Sequence, residues 1–386
     1  MFSILLAIIY LAFISLGLPD ALLGSALHEI TREFGIPVSF CGLLYMLISL
    51  STITSTLMSE KLVRFFGTGR VTAFSVMLTA GALIGFSLTK SFYSLCFLSI
   101  PYGFGAGAVD SALNNYVAIH YKGRHMNWLH CFWGIGAALG PYIMGSCIGM
   151  VDSWRCGYTL VGMIQIFLSL VLLLTLPMWQ GKDCNELSAK SDKRPRSIFK
   201  IKGVGIFMML FFCYFAFEST AGLWASSFLL NCKGLNVEMA ASLASLFYIG
   251  ITLGRLLGGF ISDLLGDAKM IRIGGMILLL GAVFLILPSK YLAFSLIGIF
   301  FLGVGGAPIF PCAMHLTPMI FGKENSSRII SLQMASAYLA LTFIPYFFGV
   351  VAEYKGLEIY PFFLLSFIVV IVLIIRRTRS LCEAKN

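Results

Sequence analysis

Three carboxylates sit inside long apolar runs of the chain: Asp20, Asp110 and Glu218. A charge at the centre of a hydrocarbon layer costs at least ~2.5–3.5 kcal/mol on insertion scales, so an acid retained there points to a task. Such an acid can take up a proton, hold a cation or accept hydrogen bonds from hydroxyl groups. Asp110 and Asn114 are four residues apart and share one helix face. Together they offer acceptors and donors, the complement of a polyhydroxylated solute. Asp20 follows Pro19, whose ring removes an N–H and opens the local backbone. Glu218 shares a face with Tyr214 and Gly222, where it can bind a solute, handle a proton or pair with a buried cation. His130 can pass protons or close a packing hydrogen bond, since an unperturbed imidazole titrates near ~6.5. Trp133, Trp224, Tyr248 and Tyr338 offer rings for stacking, or core and interfacial packing. Gln333 is a polar side chain in an apolar run and a further partner for a hydroxyl or a neighbouring helix.

The elements that must position these residues are membrane-spanning helices. Of 386 residues, 59% are hydrophobic and only 11% charged, and the mean hydropathy is +0.92. A water-soluble domain has about a quarter of its residues charged. The net charge of +10 does not signal nucleic acid, because Lys and Arg fall between apolar runs with no basic-aromatic patch. The ten cysteines are scattered without a C-x-x-C pair, so no metal site or disulfide framework is expected.

A span needs about 20 mostly apolar residues. Runs between charged or turn-rich breaks predict twelve: 2–27, 38–59, 71–89, 92–120, 127–150, 156–178, 203–230, 239–265, 271–288, 291–320, 328–352 and 358–375. The first lacks a basic leader and is too long for a signal-peptide core, so it is expected to be retained. The even-numbered connections and the C-terminal tail carry 20 Lys and Arg, the odd-numbered connections 6. That asymmetry predicts both termini in the cytoplasm of a multi-pass cell-membrane protein, plasma or inner. The domain organisation expected is a six-helix bundle at 1–178, a charged cytoplasmic linker at 179–202 containing Pro195, and a second bundle with a short tail at 203–386.

The two halves repeat. Asp20-x3-Gly24 matches Glu218-x3-Gly222, and Ser59-Glu60 matches Ser262-Asp263. Gly103-x-Gly105 matches Gly303-x-Gly305, and Pro141-Tyr142-x-x-Gly145 matches Pro345-Tyr346-x-x-Gly349. Parallel six-helix repeats related by an axis along the membrane normal are a recurrent transporter architecture, with the substrate site near the midplane.

The end of the eighth span, Gly254-Arg255-Leu256-Leu257-Gly258-Gly259 through Ser262-Asp263 to Gly266, resembles the loop signature of the major facilitator superfamily. The first half holds an eroded copy, Ser59-Glu60-Lys61-Leu62-Val63-Arg64 to Gly67. Pro19-Asp20-Ala21-Leu22-Leu23 and Asp110-Ser111-Ala112-Leu113-Asn114 resemble the fucose permease branch of sugar:proton symporters, with Asp110 where that branch usually has Glu. Asn127 to Gly134, and Glu218 with Gly222 and Trp224, look like stretches shared by wider relatives. The resemblance implies an all-α membrane protein with the major facilitator fold, in which Asp20 and Asp110 handle the coupled proton and contact the sugar. The function expected is proton-coupled symport of a small polar solute, a monosaccharide by preference, by a monomer in the lipid bilayer that needs no cofactor. Sodium is an alternative coupling ion, since carboxylates serve either. Proton-driven efflux of drugs or metabolites is the alternative on the same fold, ahead of a non-transporting sensor. No enzyme motif is visible. Glu60, Arg255 and Asp263 are expected at cytoplasmic helix ends, as a latch whose salt bridges form in one access state and break in the other.

Overall fold

The computed structural model describes residues 4–20, 22–36, 39–151, 153–179, 198–235, 237–287 and 292–383. Most of the expected linker, 180–197 with Pro195, lies outside the described residues, as does Ala21 beside Asp20. Among the described residues all regular structure is helical. Hydrocarbon offers backbone N–H and C=O groups no water, so a spanning segment must satisfy them within itself. Among the described residues twelve helices are long and apolar enough to cross a membrane: Ile4–Ala26, Leu43–Phe66, Thr68–Leu88, Phe92–His120, Gly123–Val151, Trp154–Leu174, Val204–Lys233, Leu246–Leu265, Asp267–Ile286, Leu292–Phe321, Lys323–Lys355 and Leu357–Thr378. These are the first to twelfth spans. Their outer faces leave large apolar side chains exposed, among them Phe74, Phe97, Phe167, Met276 and Leu373. In water such faces would be a liability; against lipid tails they cost nothing.

Several spans begin or end a few residues from the sequence expectation, and three differ in a way that has a physical reason. The second span runs on to Phe66, so Glu60, Lys61 and Arg64 are helical. A helix can continue into the polar layer because its backbone bonds do not depend on the solvent. The expected eighth run is two helices, Val237–Ala244 and Leu246–Leu265. The tenth is interrupted between Leu292–Gly306 and Ile309–Phe321, where Pro308 withholds a backbone N–H.

The repeat is written into backbone and packing. Gly67 joins the second and third spans at φ 80°, ψ 155°. Gly266 joins the eighth and ninth at φ 77°, ψ 153°. Both lie in a region open to glycine, and their nearly identical geometry makes the same turn in each half. A methyl on Gly103 would strike the Ile48 carbonyl, and one on Gly303 the Phe247 carbonyl. One on Gly105 would meet the Ser75 carbonyl, and one on Gly305 the Leu278 amide and Gly274 carbonyl. The fourth span thus touches the second and third as the tenth touches the eighth and ninth. Gly24 faces the hydroxyl of Tyr45 as Gly222 faces that of Tyr248. Small residues at crossings let spans approach when the hydrophobic effect does not drive them together.

The chain forms two compact units. The first comprises Met1–Tyr116, Leu129–Arg194 and Ile330–Ala335; the second comprises Val117–Trp128, Pro195–Ile329 and Ser336–Asn386. In the first unit, Gln165 Nε2 donates to the Ser15 carbonyl at 2.7 Å and Gln165 Oε1 accepts from Thr79 Oγ1 at 2.7 Å. These bonds join the first, third and sixth spans. The first and fifth spans touch backbone to backbone: methyls on Gly17, Gly136 and Gly140 would strike the carbonyls of Trp133, Ile14 and Leu18. At one end of the unit, Glu33 accepts from Trp154 Nε1 at 2.7 Å and from Arg155, whose other nitrogen donates to the Thr89 carbonyl at 2.7 Å. In the second unit an aromatic core gathers Tyr214, Phe217, Phe247 and Phe310, and Tyr360 Oη donates to the Ala221 carbonyl at 2.9 Å.

Two predictions follow from the packing of the first unit. Gly136→Val should destabilise the protein by about 1–3 kcal/mol, the usual cost of overpacking, read as a lower melting temperature in detergent. The hydrogen bond from Arg155 holds the Glu33 carboxyl below its ordinary value of 4.5. A lowered carboxyl contributes stability above its unfolded value and loses it as pH falls through the folded one. The melting-temperature gap between wild type and Glu33→Gln should therefore be open at neutral pH and close as pH drops below 4.5.

Candidate functional site

The close crossing of the first and fifth spans brings Trp133 against Asp20. Trp133 Nε1 donates to Asp20 Oδ2 at 2.9 Å. The Tyr102 hydroxyl donates to the same carboxylate. Asp20 keeps accessible surface, while the groups packed round its carboxylate still partly desolvate it. Asp110, buried on the fourth span, lies within electrostatic reach of Asp20. Two acids so placed repel when both are ionised.

Asp110 is held by its own helix. Asn114 Nδ2 donates to Asp110 Oδ1 at 2.8 Å and to the Asp110 carbonyl at 3.0 Å. The other end of the amide, Asn114 Oδ1, faces His130 Nε2 at 3.1 Å. An amide oxygen only accepts, so Nε2 carries the proton and donates. The chain runs His130 to Asn114 to Asp110 and aims the acid. His130 packs edge-on against Phe13 of the first span. Beside this chain, Ser111 Oγ and Ser331 Oγ lie 3.1 Å apart, and Gln333 is fully buried.

In the second unit, Arg255 Nη2 donates to Glu218 Oε1 at 3.1 Å. The Tyr214 hydroxyl bonds both, accepting from Arg255 at 3.4 Å and donating to Glu218. This corrects the expected placement of Arg255 at a cytoplasmic helix end. It sits in the interior of the eighth span, buried, because Glu218 and Tyr214 supply the acceptors a guanidinium needs away from water. Asp263 does lie at the end of that span and pairs with Arg124 at 3.4 Å. Glu60 lies near the end of the second span, half-buried. Trp224 is committed to packing: Nε1 donates to the Pro345 carbonyl at 3.1 Å, its ring meets Phe348 edge-on, and a methyl on Gly349 would touch it.

The structure thus joins Asp20 with Trp133 and joins Asp110, Asn114 and His130 with one another. It holds Glu218 with Arg255 in the second unit. Sequence reasoning missed Tyr102. It lies eight residues before Asp110 in steps of four through Ala106, so the strip that found Asn114 leads back to it. Among the described residues no cluster of His, Cys, Asp and Glu could hold a metal ion.

Glu218→Ala should leave Arg255 buried without its carboxylate and cost about 3–5 kcal/mol, read as a loss of thermal stability. Pairing it with Arg255→Leu should recover most of that loss in a double-mutant cycle.

A profile of the Major Facilitator Superfamily matches residues 9–240 and again 206–381. The glucose/mannose transporter GlcP of Bacillus subtilis is 22% identical over 352 residues, covering 88% of this chain and 86% of its own. The E. coli fucose:proton symporter FucP superimposes with a TM-score of 0.77 at 14% identity, covering 97% of this chain and 98% of that one. A bacterial homologue of the iron transporter ferroportin, in an outward-facing state, gives a TM-score of 0.80 at 12% identity, covering 98% and 100%. Structural likeness at these identities establishes the fold. With twelve spans in two repeated halves and matches that together run almost end to end, the chain is a multi-pass membrane transporter belonging to the Major Facilitator Superfamily.

Proposed function

We propose that this transporter moves a small polar solute, a monosaccharide by preference, by proton-coupled symport with alternating access. The observation that carries the reading is the pair of acids in the first unit: Asp20, open to solvent and held by Trp133 and Tyr102, and Asp110, aimed by Asn114 and His130. Carboxylates that are close and partly desolvated favour taking up a proton before both can be accommodated. A proton bound there lowers the charge near an incoming solute, and the acceptors and donors around it suit hydroxyl groups. The names of two similar proteins, a glucose/mannose transporter and a fucose:proton symporter, support the same class of cargo and the same coupling.

Each residue takes a role. Asp20 and Asp110 exchange the proton and contact the solute. Asn114 and His130 position Asp110. An amide does not conduct a proton in its ordinary form, so His130 acts through orientation. Trp133 and Tyr102 hold Asp20 until a solute hydroxyl competes for it. Arg255 is matched by Glu218 in the second unit, which favours neutral over anionic cargo. The excess of Lys and Arg in even-numbered connections supports cytoplasmic termini in the cell membrane.

The test is uptake into proteoliposomes with a panel of labelled monosaccharides, with and without an inward proton gradient. One sugar should accumulate with the gradient. In linked sites the coupling typically changes apparent affinity by roughly 5–150-fold, and Asp110→Asn should abolish that pH dependence while leaving exchange at equal pH. No uptake of any sugar, beside a working control transporter, would sink the sugar reading. Full gradient-driven accumulation in Asp110→Asn would sink the proton role of that acid.

A further inference from the structure

The turn between the fourth and fifth spans, Val117–Trp128, belongs to the second unit. Its seat is specific. Trp128 lies over Gly259, where a methyl would strike the indole. Arg124 pairs with Asp263 at 3.4 Å, and Asn127 Nδ2 reaches Cys312 Sγ at 3.7 Å. At its centre is a residue that the transport site does not use. His315 of the tenth span places Nδ1 at 2.6 Å from Asp267 Oδ2 and Nε2 at 2.9 Å from the Tyr121 carbonyl.

Both partners are acceptors. Tyr121 offers one of the carbonyls left over at the end of the fourth span, and its own N–H returns to Val117. Asp267 stands in the first turn of the ninth span, where a carboxylate is favoured. A neutral imidazole has one N–H and cannot donate to both. With Nε2–H given to Tyr121, a second proton must lie between Nδ1 and Oδ2. Without it, two lone pairs face each other across 2.6 Å. We infer that His315 is a proton-operated clasp: protonated, it pins the turn between the fourth and fifth spans to the start of the ninth; deprotonated, it lets that turn go.

The surrounding charges fit this role. Asp267 and Asp263 face the ring from the ninth and eighth spans, and His125 faces it from the turn itself, with Arg124 and Lys122 beside His125. Cys312, one turn earlier on the tenth span, bonds Asp267. The imidazolium of His315 is matched by Asp267 and the guanidinium of Arg124 by Asp263. Gly123 leaves the space: a methyl there would come within 2.6 Å of Asp267 Oδ1 and 3.2 Å of His315 Nδ1. The turn is one of the even-numbered connections. Under the orientation proposed above, acidification of the cytoplasm would tighten the clasp, and inward proton flux would restrain its own carrier. That consequence rests on the proposed symport; the clasp does not.

The experiment is hydrogen–deuterium exchange of the full-length protein in detergent, read over Val117–Trp128 by mass spectrometry. Wild type is compared at one pH well below the ordinary imidazole value of ~6.5 and one about three units above it, with intrinsic exchange corrected. Protection of the turn should fall at the higher pH by roughly tenfold or more, as expected from losing one charge-assisted hydrogen bond. His315→Arg, which donates at either pH, should keep the turn protected at both. His315→Gln should leave it weakly protected at both. Unchanged melting and unchanged protection of the third and sixth spans would confirm that each variant is folded. Equal corrected protection of the wild-type turn at both pH values would overturn the clasp, as would a pH response that survives in His315→Arg. Neither readout requires transport, so failure of the sugar assay leaves this test intact.

Discussion

Backbone contact between the first and fifth spans is the constraint on which the candidate site depends. Gly17, Gly136 and Gly140 remove the side chains that would hold these helices apart. The helices then meet at carbonyl distance, and Trp133 falls within a hydrogen bond of Asp20. A bulkier interface would move the indole away from the carboxylate, which would then keep Tyr102 as its remaining donor. The same logic repeats along the fourth span, where Gly103 and Gly105 seat it on the second and third spans. That seating sets which of its faces carries Asp110 and Asn114. In hydrocarbon, where apolar contact with a neighbour is little better than contact with lipid, close steric fit and polar bonds decide the geometry.

The polar groups divide into two kinds by what they leave open. Gln165 with Thr79 and Ser15, and Arg255 with Glu218 and Tyr214, are joined within their units and serve cohesion. Asp20 stays exposed while bonded to Trp133, an arrangement that a competing hydroxyl can exchange. A buried ion pair is weak evidence for stability in general, yet breaking one leaves a bare charge. Arg255 is therefore safest as a fixture of the second unit.

Much of this was legible in order along the chain. The count of twelve spans, the doubled motifs and the three interior acids came from composition and spacing, because hydrocarbon imposes a length and a polarity on every crossing segment. The Asp110–Asn114 bond was legible too, since residues four apart on a helix must be neighbours. The repeat was visible as glycine pairs at near-constant offset, and two of those pairs, Gly103 with Gly303 and Gly105 with Gly305, proved to sit at equivalent helix crossings.

Pairings across helices were not legible in that way. A span that is apolar nearly all round shows no face, so its rotation cannot be read from periodicity. Arg255 looked like part of a loop signature at a membrane surface, yet its partner stands 37 residues away on the seventh span. His315 finds Asp267 and Tyr121 at separations of 48 and 194 residues, and Trp133 finds Asp20 at 113. The sequence alone determined what the chain is: a twelve-span, twice-repeated helical membrane protein with acids in its interior. Tertiary structure alone decided which donors those acids meet, because that choice depends on crossing angles and helix rotations set by glycine contacts between distant segments.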